Sequence, residues 1–332
     1  MNFKKYSAAF LISSMLLTGC TQGSSALKKK DGKEIVASIK DKDIYADDLY
    51  NKIVATNAGK NFFFNAVLNS LVNKHFPVTD AMKTDAKMIV QATQNQYRSQ
   101  YQENADTQLK SDLANSGLKD IDAYEESIIK SLQSAKFMEK YVNAHYDEIF
   151  NDYYKQAKPR TASIIKINMT NEEKPSDKEQ AKLNEVVALT KTSKSFNEIA
   201  RDYSDDEKAS ENEGSLGLVD ASNQTLSGYG EEVSNAMLSL AEGQISEPIK
   251  AKGAYYILKC ESTNPETIKS KIKDLGVSFD SPLLQYDKYL IYIVYNSYPV
   301  KYKDNTIKDI VSGVVEKALK EREEARNGGN QA

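Results

Sequence analysis

The sequence contains no tryptophan, only two cysteines (Cys20 and Cys260) and only two histidines (His75 and His145). Two cysteines are too few for a disulfide-stabilised scaffold, and the Cys/His spacings typical of zinc sites do not occur. An excess of positive charge is also missing, because 44 Lys and Arg residues face 47 Asp and Glu residues and give a formal net charge of -3. The composition therefore argues against nucleic acid as a partner and indicates no metal and no other cofactor.

The first residues carry a targeting signal. Lys4 and Lys5 precede an apolar run, residues 8–17, that is too short to span a bilayer as a helix. This pattern is typical of a secretory signal peptide, here residues 1–19. The run ends in Leu-Thr-Gly-Cys, similar to a bacterial lipobox, whose cysteine receives diacylglycerol on its thiol and is open to acylation on its freed amine. We expect lipidation of Cys20 and anchoring on the extracytoplasmic face of the bacterial cell membrane. The alternatives are a plain secretory cleavage site and a buried cysteine.

Composition and periodicity divide the rest of the chain into five predicted segments. Residues 20–33 have the Gly, Ser and Lys content of a flexible linker, whose lysines either contact anionic head groups or are simply solvated. Residues 34–159 and 263–326 are mostly helical by their apolar spacing, whereas residues 160–262 mix strands and helices. Residues 327–332 form a polar tail.

Within residues 160–262 the period of the apolar side chains changes several times. The pattern predicts strands over residues 161–169, 214–219, 247–250 and 255–260. It predicts helices over residues 176–192, from the N-cap Ser195 to Tyr203, and over residues 231–240. The segment is therefore predicted to be a small α+β unit.

Two stretches of this unit resemble a known family. FNEIARDYSDDEKASENEGSLGLV and AMLSLAEGQISEPIKAKGAYYILKCES are similar to a parvulin-type peptidyl-prolyl isomerase domain. With the lipobox and the flanking helices, the whole chain resembles the PrsA-like foldase lipoproteins. The resemblance implies an α+β fold in which the N- and C-terminal segments form a helical foldase domain. The parvulin-like domain, a small antiparallel sheet with surrounding helices, is inserted between them. The implied function is to assist the folding of newly secreted polypeptides at the membrane.

The resemblance also points to site residues, several of which depart from the family pattern. The two family histidines fall on Ile164 and, counted from the hairpin Gly253, on Tyr255. The family Cys or Asp falls on Asp206, and Glu213 replaces the first glycine of a Gly-Gly pair. The proline-binding pocket falls on Leu216, Tyr229, Val233 and Leu238.

Prolyl isomerisation breaks no bond, so the site needs no nucleophile. It needs an apolar slot for the proline ring, exclusion of water and groups that favour the twisted amide. Tyr255 can donate a hydrogen bond in place of an imidazole and Asp206 can supply an acceptor, but Ile164 can do neither. We therefore expect weak or absent isomerase activity. Asp206 is alternatively a solvated loop charge, and Tyr255 a packing residue.

The C-terminal segment combines an aromatic stretch, residues 286–302, with an amphipathic helix. Ile310, Val314 and Leu319 form an apolar stripe that must be buried, either within the chain or in a homodimer. Within the aromatic stretch, the alternation of every second residue from Tyr289 to Tyr295 predicts a strand. The segment is alternatively part of a client-binding surface.

Two functional hypotheses remain open. The first is a foldase that catalyses cis/trans isomerisation at Xaa-Pro bonds of exported polypeptides. The second is a holdase chaperone whose parvulin-like unit binds peptide without turnover, and the missing histidines favour it. A substrate-binding lipoprotein of a transporter is disfavoured, because the chain lacks the alternating α/β pattern of two lobes.

Overall fold

The computed structural model of the chain describes residues 27–40, 42–171, 174–221, 224–275 and 281–328. The predicted signal peptide, Cys20 and most of the predicted tail lie outside these residues. The described residues up to Tyr141 and from Lys288 onward form one compact unit, and Val142–Asp287 form a second. None of the described helices is long and apolar enough to cross a membrane.

Strands and helices follow one another as the periodicity indicates for most of the chain. The strands are β1 (Lys29–Lys30), β2 (Lys33–Ile39), β3 (Lys42–Tyr45), β4 (Arg160–Asn168), β5 (Ser215–Val219), β6 (Ile249–Ala251) and β7 (Ala254–Ser262). The helices are α1 (Ala46–Ala55), α2 (Asn57–His75), α3 (Asp80–Tyr101), α4 (Ala105–Asn115), α5 (Ile121–Ala144), α6 (Tyr146–Ala157), α7 (Asp177–Leu189), α8 (Phe196–Tyr203), α9 (Ala209–Asn212), α10 (Gln224–Tyr229), α11 (Glu231–Ser239), α12 (Pro265–Leu275), α13 (Pro282–Gln285), α14 (Leu290–Tyr295) and α15 (Asn305–Gly328).

The first unit joins the N-terminal helices to the C-terminal segment. Phe64 of α2 stacks on Tyr292 of α14 with ring centroids 5.1 Å apart and also contacts Tyr295 at 5.5 Å. Val311 and Val315 of α15 are buried, and α15 packs on α2. Segments distant in sequence therefore share one helical domain, as the resemblance implied. The predicted stripe of Ile310, Val314 and Leu319 is only half-buried, and the buried positions are the neighbouring residues Val311, Val315 and Ala318.

The predicted strand in the aromatic stretch is wrong, because Leu290–Tyr295 form helix α14. Apolar side chains occupy both the odd-numbered and the even-numbered positions of this run, so alternation alone does not distinguish a strand from a short buried helix. The helix buries Leu290 and Val294, which are four residues apart, together with Tyr295.

The second unit is built on a four-stranded antiparallel sheet in the order β5-β4-β7-β6. Neighbouring side chains of a strand point to opposite faces, and both faces of this sheet are covered. Helices α10 and α11 cover the face that carries Ile164, Tyr256 and Leu258. Helices α7 and α8 cover the face that carries Ile165 and Ile257. The predicted α+β fold class, with a small antiparallel sheet and surrounding helices, is confirmed.

Helices outside the predicted parvulin-like segment also belong to the second unit. Tyr153 of α6 is completely buried, and its hydroxyl donates a 2.7 Å hydrogen bond to Asp220, which follows β5. Helix α12 contributes the buried Ile268 and Ile272. The domain limits expected at residues 160 and 262 stay a prediction, since the compact unit extends beyond them on both sides.

Candidate functional site

Gly214 allows the loop that precedes β5 to lie close against the central strand β4. Gly214 has a φ of +72°, and a Cβ there would lie 2.5 Å from the carbonyl oxygen of Ile164 and 2.6 Å from the Cβ of Ala200. The Gly214 carbonyl accepts a 2.8 Å hydrogen bond from the Ile164 amide. Gly217 has a φ of +67° in open space, next to the bulge where β4 and β5 shift register. Only glycine allows the close approach at position 214.

Asp206 lies in the turn between α8 and α9. The hydroxyl oxygen of Ser204 accepts hydrogen bonds from the amides of Lys166 at 3.0 Å and Asp206 at 3.2 Å, which ties this turn to β4. The Asp206 carboxylate accepts from the Lys208 amide at 3.0 Å and from the hydroxyl of Tyr229. The structure therefore brings Asp206 together with Tyr229, another predicted site residue.

The adjacent Asp205 has a different environment. Its carboxylate accepts from the Asn168 amide at 2.9 Å and pairs with Lys182 at 2.6 Å. These contacts join the turn to the end of β4 and to α7, so Asp205 holds the loop while Asp206 faces Tyr229.

Two tyrosines meet on the same side of the sheet. The rings of Tyr229 and Tyr256 make an edge-to-face contact with centroids 5.5 Å apart and an interplanar angle of 70°. Burial, and to a smaller extent the Asp206 carboxylate, raises the pKa of Tyr229 to about 12. The Tyr229 phenol therefore stays protonated at neutral pH and acts as a hydrogen-bond donor.

An apolar floor lies beneath these tyrosines. Ile164 and Val233 are buried, and Leu226 and Met237 complete the floor. The rim consists of half-buried side chains, Leu216, Tyr229, Ala236 and Ile249. Leu238 does not join this cluster and is half-buried, whereas its helix neighbour Met237 is fully buried. Of the four predicted pocket positions, the structure therefore brings Leu216, Tyr229 and Val233 together.

Tyr255 lies on the opposite face of the sheet. It is paired with Ile167 across the sheet and packs against the cluster of α7 and α8, away from Ile164. Tyr256 pairs with Lys166 on one side and Ile249 on the other, and thus points to the site face. Counting from the hairpin glycine missed Tyr256 by one residue, and a shift of one residue exchanges the two faces of a strand.

The local sequence did not distinguish the two tyrosines. Leu258 and Cys260 are fully buried on the face of Tyr256, but Ile257 is equally buried on the face of Tyr255. Cys260 itself is completely buried, and burial raises the pKa of its thiol. It packs as a small apolar side chain, as expected.

The arrangement combines partly buried apolar side chains with a hydrogen-bonded pair beside them. The Tyr229 and Asp206 pair supplies a donor and an acceptor. Ile164 is only 2% exposed and contributes packing alone. Neither histidine of the chain lies in the cluster, so proton transfer by imidazole is not available to this site.

Comparison with known proteins identifies similar sequences and structures. Residues 164–262 match the Rotamase family, the PPIC-type PPIASE domain. Foldase protein PrsA of Staphylococcus aureus (strain Newman) is 26% identical over 332 residues, covering 96% of this chain and 93% of the relative. Foldase protein PrsA 2 of Bacillus anthracis is 26% identical over 249 residues, covering 75% and 74%. The crystal structure of foldase protein PrsA from Streptococcus pneumoniae str. Canada MDR_19A is 23% identical, with a TM-score of 0.44, and the match covers 84% of this chain and 98% of that chain.

Proposed function

We propose that this PrsA-like chain, which carries a parvulin-type peptidyl-prolyl isomerase domain, is a membrane-anchored foldase that assists the folding of newly secreted polypeptides. The lipobox-like sequence before Cys20 supports an anchor on the extracytoplasmic face of the membrane. The clients are unfolded or partly folded chains.

One observation carries the proposed role of the inserted domain. A half-buried apolar rim lies beside the hydrogen-bonded pair of Tyr229 and Asp206, on the face where the parvulin resemblance places its first histidine position, Ile164. Rotation about a peptide bond has a barrier of about 18–20 kcal/mol. Packing of the proline ring against Leu216 and Tyr229 removes water from the prolyl amide. The Tyr229 hydroxyl then donates its hydrogen bond to the carbonyl oxygen of that amide, or alternates between this oxygen and Asp206.

The expected isomerase activity is weak, because Ile164 donates no hydrogen bond and the two tyrosines are less acidic donors than imidazolium. Since Tyr229 has a pKa of about 12, its protonation does not change between pH 6 and 9. We therefore propose that any activity of this domain lacks the pH step that a histidine would add in that range.

A holdase chaperone is the second candidate, and the surface of the helical unit favours it. Large apolar side chains are exposed on β2, α1 and α2, and α1 contacts both of the other elements. They are Val36, Ile39 (66% exposed), Leu49, Ile53 (49%) and Phe62 (43%). Such a surface suits apolar client segments or a second copy of the chain.

A matched set of tyrosine variants tests the catalytic proposal. Tyr229→Phe removes the donor to Asp206, Tyr256→Phe removes a hydroxyl on the site face, and Tyr255→Phe makes the same chemical change on the other face. Acceleration of Xaa-Pro isomerisation should fall in the Tyr229 variant and remain unchanged in the Tyr255 variant.

The competing outcome separates the two functions. If the intact protein gives no acceleration but still suppresses aggregation of an unfolded client, the inserted domain binds without turnover and the holdase function stands. The anchor has its own test, in which Cys20→Ala should move the protein from the membrane fraction to the soluble fraction.

A further inference from the structure

A cavity in the C-terminal segment of the first unit has no role in the function proposed so far. It has a volume of about 320 Å³, at the lower end of the range for ligand sites. Its lining consists of residues of α15, the last residue of α14 and the loop that follows α14: Tyr295, Asn296, Tyr298, Val300, Tyr302, Val311, Ser312, Val315, Glu316 and Leu319. The space suits one extended side chain rather than a large ligand.

Three tyrosines line the cavity and are held in place by other contacts. The hydroxyls of Tyr295 and Tyr302 are hydrogen-bonded to each other at 2.5 Å. Tyr298 packs against Phe137 with ring centroids 5.1 Å apart and against Phe76 at 5.9 Å. Because these rings are already ordered, a ligand would not bear the cost of fixing them.

Glu316 is the only charged residue among those that line the cavity. Within the described part of the chain, its carboxylate has no hydrogen bond or ion pair. The other acids of α15 include Glu321, which pairs with Lys317 at 3.9 Å, and Glu324, which pairs with Lys320 at 3.7 Å. Lys320, one turn after Glu316, is thus engaged elsewhere. A carboxylate beside aromatic rings has the chemistry that attracts a cation.

We propose that this cavity is a subsite for a cationic side chain of a bound polypeptide, with arginine preferred over lysine. The planar guanidinium ion stacks on tyrosine rings and forms directional hydrogen bonds to a carboxylate, whereas an ammonium ion is a more strongly hydrated point charge. The aliphatic stem of arginine fits the apolar wall of Val311, Val315 and Leu319. The inference rests on the proposed function only in taking a polypeptide as the ligand.

Peptides with and without the charge provide the test. The purified full-length chain is titrated calorimetrically with an acetylated, amidated Gly-Arg-Gly peptide and with the same peptide containing citrulline, which has nearly the same shape but no charge. Binding of the arginine peptide should be about threefold to tenfold tighter and should weaken as salt is raised.

Three protein variants locate the effect. Glu316→Gln should abolish the preference for arginine over citrulline, whereas Glu323→Gln, the same charge change on an exposed position of α15 outside the lining, should preserve it. Tyr302→Leu should weaken binding of the arginine peptide more than that of the citrulline peptide. Equal binding of the two peptides by the unaltered chain, or equal effects of the two glutamine variants, would overturn the inference.

The result is independent of the isomerase test. The same variants are assayed for Xaa-Pro isomerisation and for suppression of client aggregation. A chain that retains both activities but shows no preference for arginine lacks the cationic subsite and keeps the proposed function. A chain that prefers arginine but lacks both activities has the subsite and not the proposed function.

Discussion

Replacing Gly214 by alanine should weaken the backbone contact between the loop before β5 and the strand β4, which supports the candidate site. The substitution has two costs. A left-handed φ of +72° costs an alanine about 1–2 kcal/mol. The new Cβ would also lie 2.5 Å from the Ile164 carbonyl oxygen and 2.6 Å from the Ala200 Cβ, which are not flexible side-chain ends. Comparable overpacking costs about 1–3 kcal/mol more.

Gly217→Ala is the matched control, because Gly217 has a similar φ of +67° but no atom within 4 Å of the added Cβ. The control should therefore show the cost of the backbone conformation alone. The difference between the two variants isolates the steric clash, and about 1–3 kcal/mol corresponds to a factor of about five to 150 in the local opening equilibrium.

Hydrogen exchange at the Ile164 amide is the most direct assay, because that amide donates to the Gly214 carbonyl at 2.8 Å. Its protection should fall in the Gly214 variant by the factor above, relative to the Gly217 variant. Equal protection in both variants would refute the argument that close approach, rather than backbone conformation, requires glycine at position 214.

Other predictions concern elements that support the site. Glu179 accepts hydrogen bonds from two amides and two hydroxyls, and its pKa is lowered to about 2 from 4.5. Its stabilising effect is thus complete above pH 4.5 and is lost as the pH falls towards 2. In Glu179→Gln the melting temperature should therefore fall less steeply as the pH is lowered from 4.5 towards 2. An unchanged dependence of melting temperature on pH would contradict the role assigned to Glu179. Tyr153→Phe removes the buried donor to Asp220 and should destabilise the second unit by about 1–3 kcal/mol in urea unfolding. A change below about 0.5 kcal/mol would mean that Asp220 finds an equivalent donor.

The elements that the sequence predicts well are those determined by local chemistry. Ser176 and Ser195 each accept a hydrogen bond from the amide of a glutamate three residues later, Glu179 and Glu198, and both glutamates bond back to the cap. This capping box depends only on neighbouring residues, so its spacing is visible in the sequence. Thr79 likewise caps α3 through a local contact, since its hydroxyl accepts a hydrogen bond from the amide of Met82.

The features that the sequence missed depend on tertiary contacts. The run from Leu290 to Tyr295 is apolar on every side and is compatible with a strand or a helix, and contacts with Phe64 of α2 accompany the helical form. Tyr256 of β7 pairs with Lys166 of β4, a strand that is distant in the sequence. The register of this pairing is a tertiary property, so the side chain facing the site could not be identified by counting from Gly253.

Histidine replacements can test that register directly. Two groups that act on one bound amide must share a face of the sheet, and Ile164 and Tyr256 do, whereas Tyr255 does not. If weak activity reflects the missing imidazoles, the double variant Ile164→His with Tyr256→His should raise the rate of Xaa-Pro isomerisation by roughly tenfold or more. Its rate should also acquire a pH dependence between about pH 5 and 8.

The matched variant, Ile164→His with Tyr255→His, introduces the same two residues on opposite faces. It bears the same cost of placing an imidazole at the buried position 164, about 1–3 kcal/mol, so a comparison of the two double variants cancels that cost. A gain in rate confined to the Tyr256 variant would establish that the two strands present one site. A gain in the Tyr255 variant instead would mean that β7 binds substrate through its other face, and the site described above would then be only the core of the domain.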